Sequence, residues 1–334
     1  MTESAYLSVS VQDIAERAGV STATVSRVLN QSELVRPKTR AKVEAVIAEL
    51  GYQPNALARN LRTAESRMLL TMVPDFGNPF YAEIVRGIDS YARSKGYHVL
   101  LCDTGANASE EGTYFDMVRH RLADGAICLD PDSIQHAMSA EMKGLNWVAC
   151  CEYDPDANIP YVGIDNEKAA FDAVIYLIGQ GCKNIALINS DERYRYARDR
   201  NKGYEAALTK AGIKKMQQKF TRGLEFENGY RAATELLKGG RKPDAIFAVS
   251  DTLAIGAMRA VRDAGLSVPH DVRVMGFDNI PIGTIMEPQL STVAQPMREL
   301  GETAARLLID RLHNPLAKTG GILLKHELVL RQSA

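Results

Sequence analysis

Residues 10–31, SVQDIAERAGVSTATVSRVLNQ, decide how the amino terminus is read. Ser10 precedes apolar Val11, Ile14, Ala15 and Ala18 at helical spacing, and Asp13 stands three residues after it, as in a capping box. Gly19 breaks that helix, Val20 follows, and Ser21 can cap a second helix through TATVSRVLN. A third helix begins near Pro37, a good first-turn residue, and runs through Val43, Val46, Ile47 and Leu50 to a stop at Gly51. Two short helices joined by a tight turn, with a third beside them, match a helix-turn-helix, whose second helix lies in the DNA major groove. Gly19 supplies the turn, and Ala15, Val20, Val25 and Leu29 lock the pair. Ser21, Thr22, Ala23, Ser26 and Arg27 are left pointing outward. Arg27 can pair with a guanine edge, and Ala23 or Thr22 can touch a thymine methyl. The competing reading is a plain three-helix packing unit.

Charge agrees with a nucleic-acid partner. Between Arg17 and Arg67 stand nine basic residues and four acidic ones, whereas the 334-residue chain has a net charge of −1. A basic module on an acidic body is the asymmetry of a chain whose one part meets a polyanion, although a solvated helical face would look alike. Residues 53–67, QPNALARNLRTAESR, form a basic connector with little apolar weight; taken alone, it reads as a linker.

Beyond the connector the pattern changes to alternating strands and helices. Strand-like runs fall at 68–73, 98–102, 125–129, 147–151, 161–164, 184–189, 245–249, 272–277, 291–295 and 322–330. Helical stretches fall at 79–95, 109–122, 166–181, 200–212, 227–239, 251–265 and 296–313. Such alternation implies an α/β fold with parallel sheets and helices on both faces, and this many strands imply two units with a ligand cleft between them.

Other chemistries are poorly supported. Five cysteines (102, 128, 150, 151, 182), without a C-x-x-C pair and largely within apolar runs, read as buried thiols, and six scattered histidines make no metal spacing. No metal and no cofactor is expected. Asp103-Thr104-Gly105 matches an aspartic-protease signature but has no second copy to share a proton. Asn107-Ala108-Ser109 is a glycosylation sequon in a chain that shows no signal peptide. No nucleophile–base pair or phosphate loop is visible, so an enzyme is not expected. A solute receptor shares the body fold but would carry a signal peptide and no headpiece. The expected location is the cytoplasm, with no membrane partner.

The motifs together resemble the LacI family of repressors. The resemblance begins with VQDIAERAGVSTATVSRVLNQ and VRPKTRAKVEAVIAELGYQPNALARNLR. It continues through NPFYAEIVRGID, DGAICL, VGIDN, SDTLAIGAMRA, VMGFDN and LSTVAQP, covering nearly the whole chain. It implies a helix-turn-helix headpiece at 1–52, a hinge at 53–67, and a body of the type I periplasmic-binding-protein kind at 68–334. The two subdomains would be 68–163 with 293–322, and 164–292 with 323–334. It also implies a homodimer on double-stranded operator DNA. Thr22, Ala23 and Arg27 take base-reading positions, and Ser21, Thr24, Asn30 and Tyr52 lie at or near backbone-contacting ones. Leu61, flanked by Ala58 and Arg59, takes the place of a leucine wedged into the minor groove, in a hinge that folds on DNA.

In the body the resemblance points to an effector cleft with Phe80 and Tyr81 as lining aromatics. Arg200 would anchor hydroxyls or a carboxylate, and Asp278 would take sugar hydroxyls. Arg193, Leu224, Ser250 and Cys151 or Glu152 are weaker matches. Phe80 and Tyr81 could equally be core residues, and Arg200 and Asp278 a structural pair. The loop ERYRYARDR is one residue longer than in purine-responsive members, and Leu224 replaces the aromatic found in purine- and nucleoside-responsive ones. Other motifs lie nearest to nucleoside-responsive members, so the expected effector is a nucleoside such as cytidine, with a sugar or purine as the alternative.

Overall fold

The computed structural model describes residues 9–29, 34–52, 65–105, 108–129, 144–157, 159–314 and 320–334. By contacts the chain forms two compact units, Met1–Ser66 and Arg67–Ala334.

The first unit holds α1 (Val11–Ala18), α2 (Thr22–Leu29) and α3 (Pro37–Leu50). Ser10 and Asp13 close the capping box: the Asp13 amide donates to Ser10 Oγ at 3.2 Å and the Ser10 amide to Asp13 Oδ2 at 2.8 Å. These bonds to Ser10 hold the Asp13 carboxyl below its ordinary range. Gly19 ends α1 in the left-handed region at φ 61°, where a Cβ would be strained, and its amide closes onto the last turn. Ser21 Oγ then accepts the Thr24 amide at 3.2 Å, opening α2. Ile14, Ala15, Ala18, Val25, Val28, Val43 and Val46 form the buried centre, with Val20 and Leu29 half-buried around it. The expected lock thus holds at Ala15 and Val25, with Val20 and Leu29 flanking.

The second unit is built on two six-stranded sheets. The first contains β1 (Met68–Val73), β2 (His98–Asp103), β3 (Gly125–Cys128), β4 (Trp147–Cys150), β5 (Tyr161–Ile164) and β11 (Gly321–Leu324), ordered β11-β5-β4-β3-β1-β2 and parallel throughout. The second contains β6 (Ile185–Asn189), β7 (Gln217–Phe220), β8 (Ala245–Ala248), β9 (Arg273–Asp278), β10 (Ser291–Ala294) and β12 (Glu327–Val329), ordered β12-β10-β9-β8-β6-β7. Only β12, against β10, runs antiparallel among these. The α-helices among the described residues of this unit are α4 (Pro79–Ser94), α5 (Ala108–Arg119), α6 (Asn166–Gly179), α7 (Arg195–Lys210), α8 (Phe226–Lys238), α9 (Asp251–Asp263) and α10 (Met297–His313).

The chain passes between the sheets after β5, after β10 and between β11 and β12, so each subdomain is assembled from separated segments. The run 322–330, read as one strand, is divided: 321–324 pairs with β5 and 327–329 with β10. β7 was not expected, because Gln217-Gln218-Lys219-Phe220 has no apolar alternation; it is an edge strand, and β6 alone pairs it. α7 starts five residues before the expected position, within an arginine-rich turn that carries no apolar period.

The cores follow from the strand composition. Leu187, Phe247, Phe277 and Tyr204 are buried about the second sheet. Leu69, Ile84, Ile127, Val148 and Leu308 fill one face of the first sheet, and Leu70, Met72, Phe115 and Trp147 the other. α4 and α10 cross at two glycines: a Cβ on Gly87 would lie 2.1 Å from Arg298 O, and one on Gly301 2.0 Å from Ile84 O. All five cysteines are free thiols, four buried and Cys151 half-buried. No helix among the described residues is long and apolar enough to cross a membrane.

Candidate ligand cleft and nucleic-acid interface

α2 buries Val25 and Val28 and exposes the opposite face, because valines three apart fall on one side of a helix. Ser21, Thr22, Ala23 and Arg27 are exposed, while Thr24 and Ser26 are half-buried. Thr24 Oγ1 lies 2.9 Å from Ser21 Oγ, so the two hydroxyls hold each other at the start of the helix. Tyr52 packs half-buried against the three-helix core. Asn30, Ala58, Arg59 and Leu61 lie outside the described residues.

In parallel sheets the carboxyl ends of the strands form the natural ligand edge. Here the ends of β3, β4, β9 and β10, the starts of α4, α6 and α7 and the loop before α8 surround a cleft of about 420 Å³, open to solvent. Of the expected set, Phe80, Tyr81, Cys151, Glu152, Arg200, Leu224 and Asp278 line it. Phe80 and Tyr81 meet edge-to-face, with centroids 5.2 Å apart.

Arg200 is held deep in the cleft wall. Nε donates to Asn166 Oδ1 at 2.9 Å and Nη1 to Val249 O at 2.5 Å. The guanidinium lies 3.5 Å from the Phe277 ring centroid and 4.9 Å from that of Tyr196. Burial lowers its pKa from the ordinary arginine value, and the Asp278 carboxylate opposes that shift.

Asp278 sits at φ 118° and Asn279 at φ 65°, in the region where a Cβ is strained. A buried carboxylate in α9, Asp251, anchors the turn that follows. Its Oδ2 accepts the Ile280 amide at 2.8 Å, and its Oδ1 lies 2.6 Å from Thr292 Oγ1, to which the Asn279 amide donates at 3.3 Å. Asp278 Oδ1 accepts from Gln295 Nε2 at 2.8 Å. Burial pushes Asp278 up to about 7 against the pull of Arg200. Burial, reinforced by the Asp278 charge, pushes Asp251 up to about 8.

Two expected residues stand outside the cleft lining. Arg193 lies in the exposed loop before α7, its guanidinium 4.5 Å from the Tyr194 ring centroid. Ser250 is the N-cap of α9, and its Oγ accepts the Leu253 amide at 3.2 Å, so it serves the helix. Five lining residues were not expected: Asn78, Leu129, Asn166, Tyr196 and Gln295. Asn78 carried a legible signal, an Asn-Pro helix start whose Oδ1 accepts the Phe80 amide at 3.0 Å. Leu129, Asn166 and Gln295 stood in quoted motifs without a role, and Tyr196 carried no signal.

Both halves of this architecture have known relatives. Residues 10–55 match the bacterial regulatory proteins of the lacI family, and residues 174–334 match the periplasmic binding protein-like domain. The HTH-type transcriptional repressor CytR of Escherichia coli (strain K12) is 39% identical over 325 residues, which cover 97% of this chain and 95% of that protein. The chain belongs to the LacI family. Catabolite control protein A of Priestia megaterium is 36% identical over 98% of this chain and 99% of its own length. The crystal structure of the lac repressor dimer bound to operator and an anti-inducer superposes with a TM-score of 0.88 at 29% identity, covering 97% of this chain and 98% of that one. The LacI-family chain is thus a transcriptional repressor: an operator-binding helix-turn-helix followed by a periplasmic-binding-like α/β body that takes a small-molecule effector.

Proposed function

We propose that this repressor acts as a homodimer whose operator affinity is set by a nucleoside such as cytidine bound in the cleft. The observation that carries the reading is that Arg200 and Asp278 line one cleft together with Phe80 and Tyr81. Asp278 accepts from ribose hydroxyls and Arg200 donates to their oxygens. The Phe80–Tyr81 pair faces the base, and Leu224 closes the other side. At operator DNA, Thr22, Ala23 and Arg27 read bases, and Ser21, Thr24, Asn30 and Tyr52 engage the backbone. Leu61, with Ala58 and Arg59 beside it, wedges the minor groove. The dimer rests on likeness to the lac repressor dimer.

Ligand-dependent control follows from the way the subdomains are joined. A molecule touching both changes the free energy of their relative arrangement, and its leverage on DNA binding equals its difference in affinity for the two arrangements. Leu224 supplies no ring for stacking, which favours a sugar as second reading. Thermal unfolding against nucleosides, purine bases, pentoses and hexoses tests both. A ligand at 100 times its dissociation constant adds about 2.7 kcal/mol. A midpoint raised by cytidine or another nucleoside supports the proposal. A midpoint raised by a sugar alone removes the nucleoside from it.

A further inference from the structure

We infer that the cleft takes an uncharged effector, and that Glu152 is the specificity residue that turns phosphorylated molecules away. The inference rests on the reading of this cleft as the effector site.

A helix amino terminus offers free amides and the positive end of the helix dipole, and is therefore a ready place for a phosphate or carboxylate. α7 begins at the cleft, and its own N-cap residue, Tyr194, gives it no side-chain cap. The cap comes instead from the other subdomain. Glu152, in the loop after β4, accepts the Arg195 amide at Oε2 (2.8 Å) and the Tyr196 amide at Oε1 (2.9 Å). The place where a ligand anion would sit is filled by a protein carboxylate that is 5% exposed.

The residues beside Glu152 and its partner Arg195 are themselves packed. Tyr153 stacks on Tyr161 with ring centroids 4.1 Å apart, and the Arg195 guanidinium lies 5.0 Å from the Tyr153 ring. Swinging Glu152 out would take this partner from two half-buried amides at the start of α7.

The charges that remain in the lining point the same way. Beside Glu152 they are Asp278 and Arg200. Arg200 is already tied to Asn166 and Val249. Among the described lining residues a ligand phosphate would therefore meet two carboxylates and one guanidinium already bonded at Nε and Nη1, and no lysine. A neutral molecule with several hydroxyls donates to the carboxylate oxygens without that repulsion.

The test compares the wild type with Glu152→Gln, which keeps the side-chain size, and Glu152→Ala, which frees both amides. Each is melted with cytidine, cytidine 5′-monophosphate, ribose, ribose 5-phosphate and inorganic phosphate. The expected result is that the phosphorylated probes and phosphate leave the wild-type midpoint in place, while phosphate raises that of a Glu152 variant by roughly 2 °C or more. Stabilisation of the wild type by a phosphorylated probe at least equal to that by its neutral partner overturns the inference. So does a folded Glu152→Ala protein that gains nothing from phosphate. If the variants gain phosphate binding but no neutral nucleoside or sugar moves the wild type, the role of Glu152 stands and the effector reading fails.

Discussion

Replacing Arg200 with Met should destabilise the body by an amount that grows with pH. The guanidinium makes two hydrogen bonds, to Asn166 Oδ1 and Val249 O, and lies against the Phe277 ring. Removing it leaves two buried acceptors unpaired, each costing about 1–3 kcal/mol. Met keeps much of the packing, and losing a cation that burial disfavours returns part of that cost, so a net loss of about 3 kcal/mol is expected where Asp278 is neutral. The pH dependence comes from Asp278. Its folded pKa of about 7 lies far above the unfolded 3.8, so the folded state retains a proton that the unfolded state releases, and stability is lost as pH rises. In the wild type that loss levels off above about pH 7, because Arg200 lets Asp278 ionise. Without the guanidinium the folded pKa rises further and the loss continues, by up to about 1.4 kcal/mol per pH unit. Urea unfolding at pH 6, 7 and 8 should show the two proteins diverging toward high pH. In an Asp278→Asn background the divergence should vanish. A gap that stays constant with pH, or that persists in that background, would refute the assignment of Asp278 as the partner of Arg200.

Arg27→Ala should cost about 1–3 kcal/mol in operator binding while changing affinity for unrelated duplex far less, as fluorescence anisotropy would show; equal losses on both would make Arg27 a phosphate contact. Leu61→Ala should weaken operator binding and leave cleft-ligand affinity nearly unchanged, and a joint fall would end the proposed division of labour. Gly301→Ala places a Cβ 2.0 Å from Ile84 O and should cost about 1–3 kcal/mol through overpacking, read as a lower melting midpoint. An unchanged midpoint would mean that α4 and α10 can separate freely.

Most elements that were legible in the sequence share a property: their burial is one-sided or complete, whereas β2, with Leu100 and Leu101 exposed, showed only as an apolar run. The helices of the headpiece and the strands of the two sheets bury regular apolar sets, so their periods survive in the sequence. β7 was invisible because three of its four residues are polar and half-buried and the fourth, Phe220, is an exposed apolar residue at an edge. The division of 322–330 was invisible because both halves are extended. Only the change of neighbours, from β5 to β10, tells them apart, and that is a tertiary event.

The cleft was legible by residue type more than by position, and the arginine-rich loop shows why. In ERYRYARDR, positions 193, 196 and 200 would share one face of a helix that had begun by residue 193, since residues three, four and seven apart fall together. The helix begins at Arg195, so Tyr196 and Arg200 keep that face and both line the cleft, while Arg193 leaves it for the exposed loop. What sets the start is the absence of a cap in the local sequence and its supply by Glu152 from the other subdomain. The same carboxylate therefore fixes the helix phase that delivers Arg200 and occupies the site an anion would take. Glu152→Ala should accordingly loosen the first turn of α7, raising amide exchange at Arg195 and Tyr196 above that at Tyr204 near the helix centre. Unchanged protection at those two amides would mean that packing, not the cap, holds the turn.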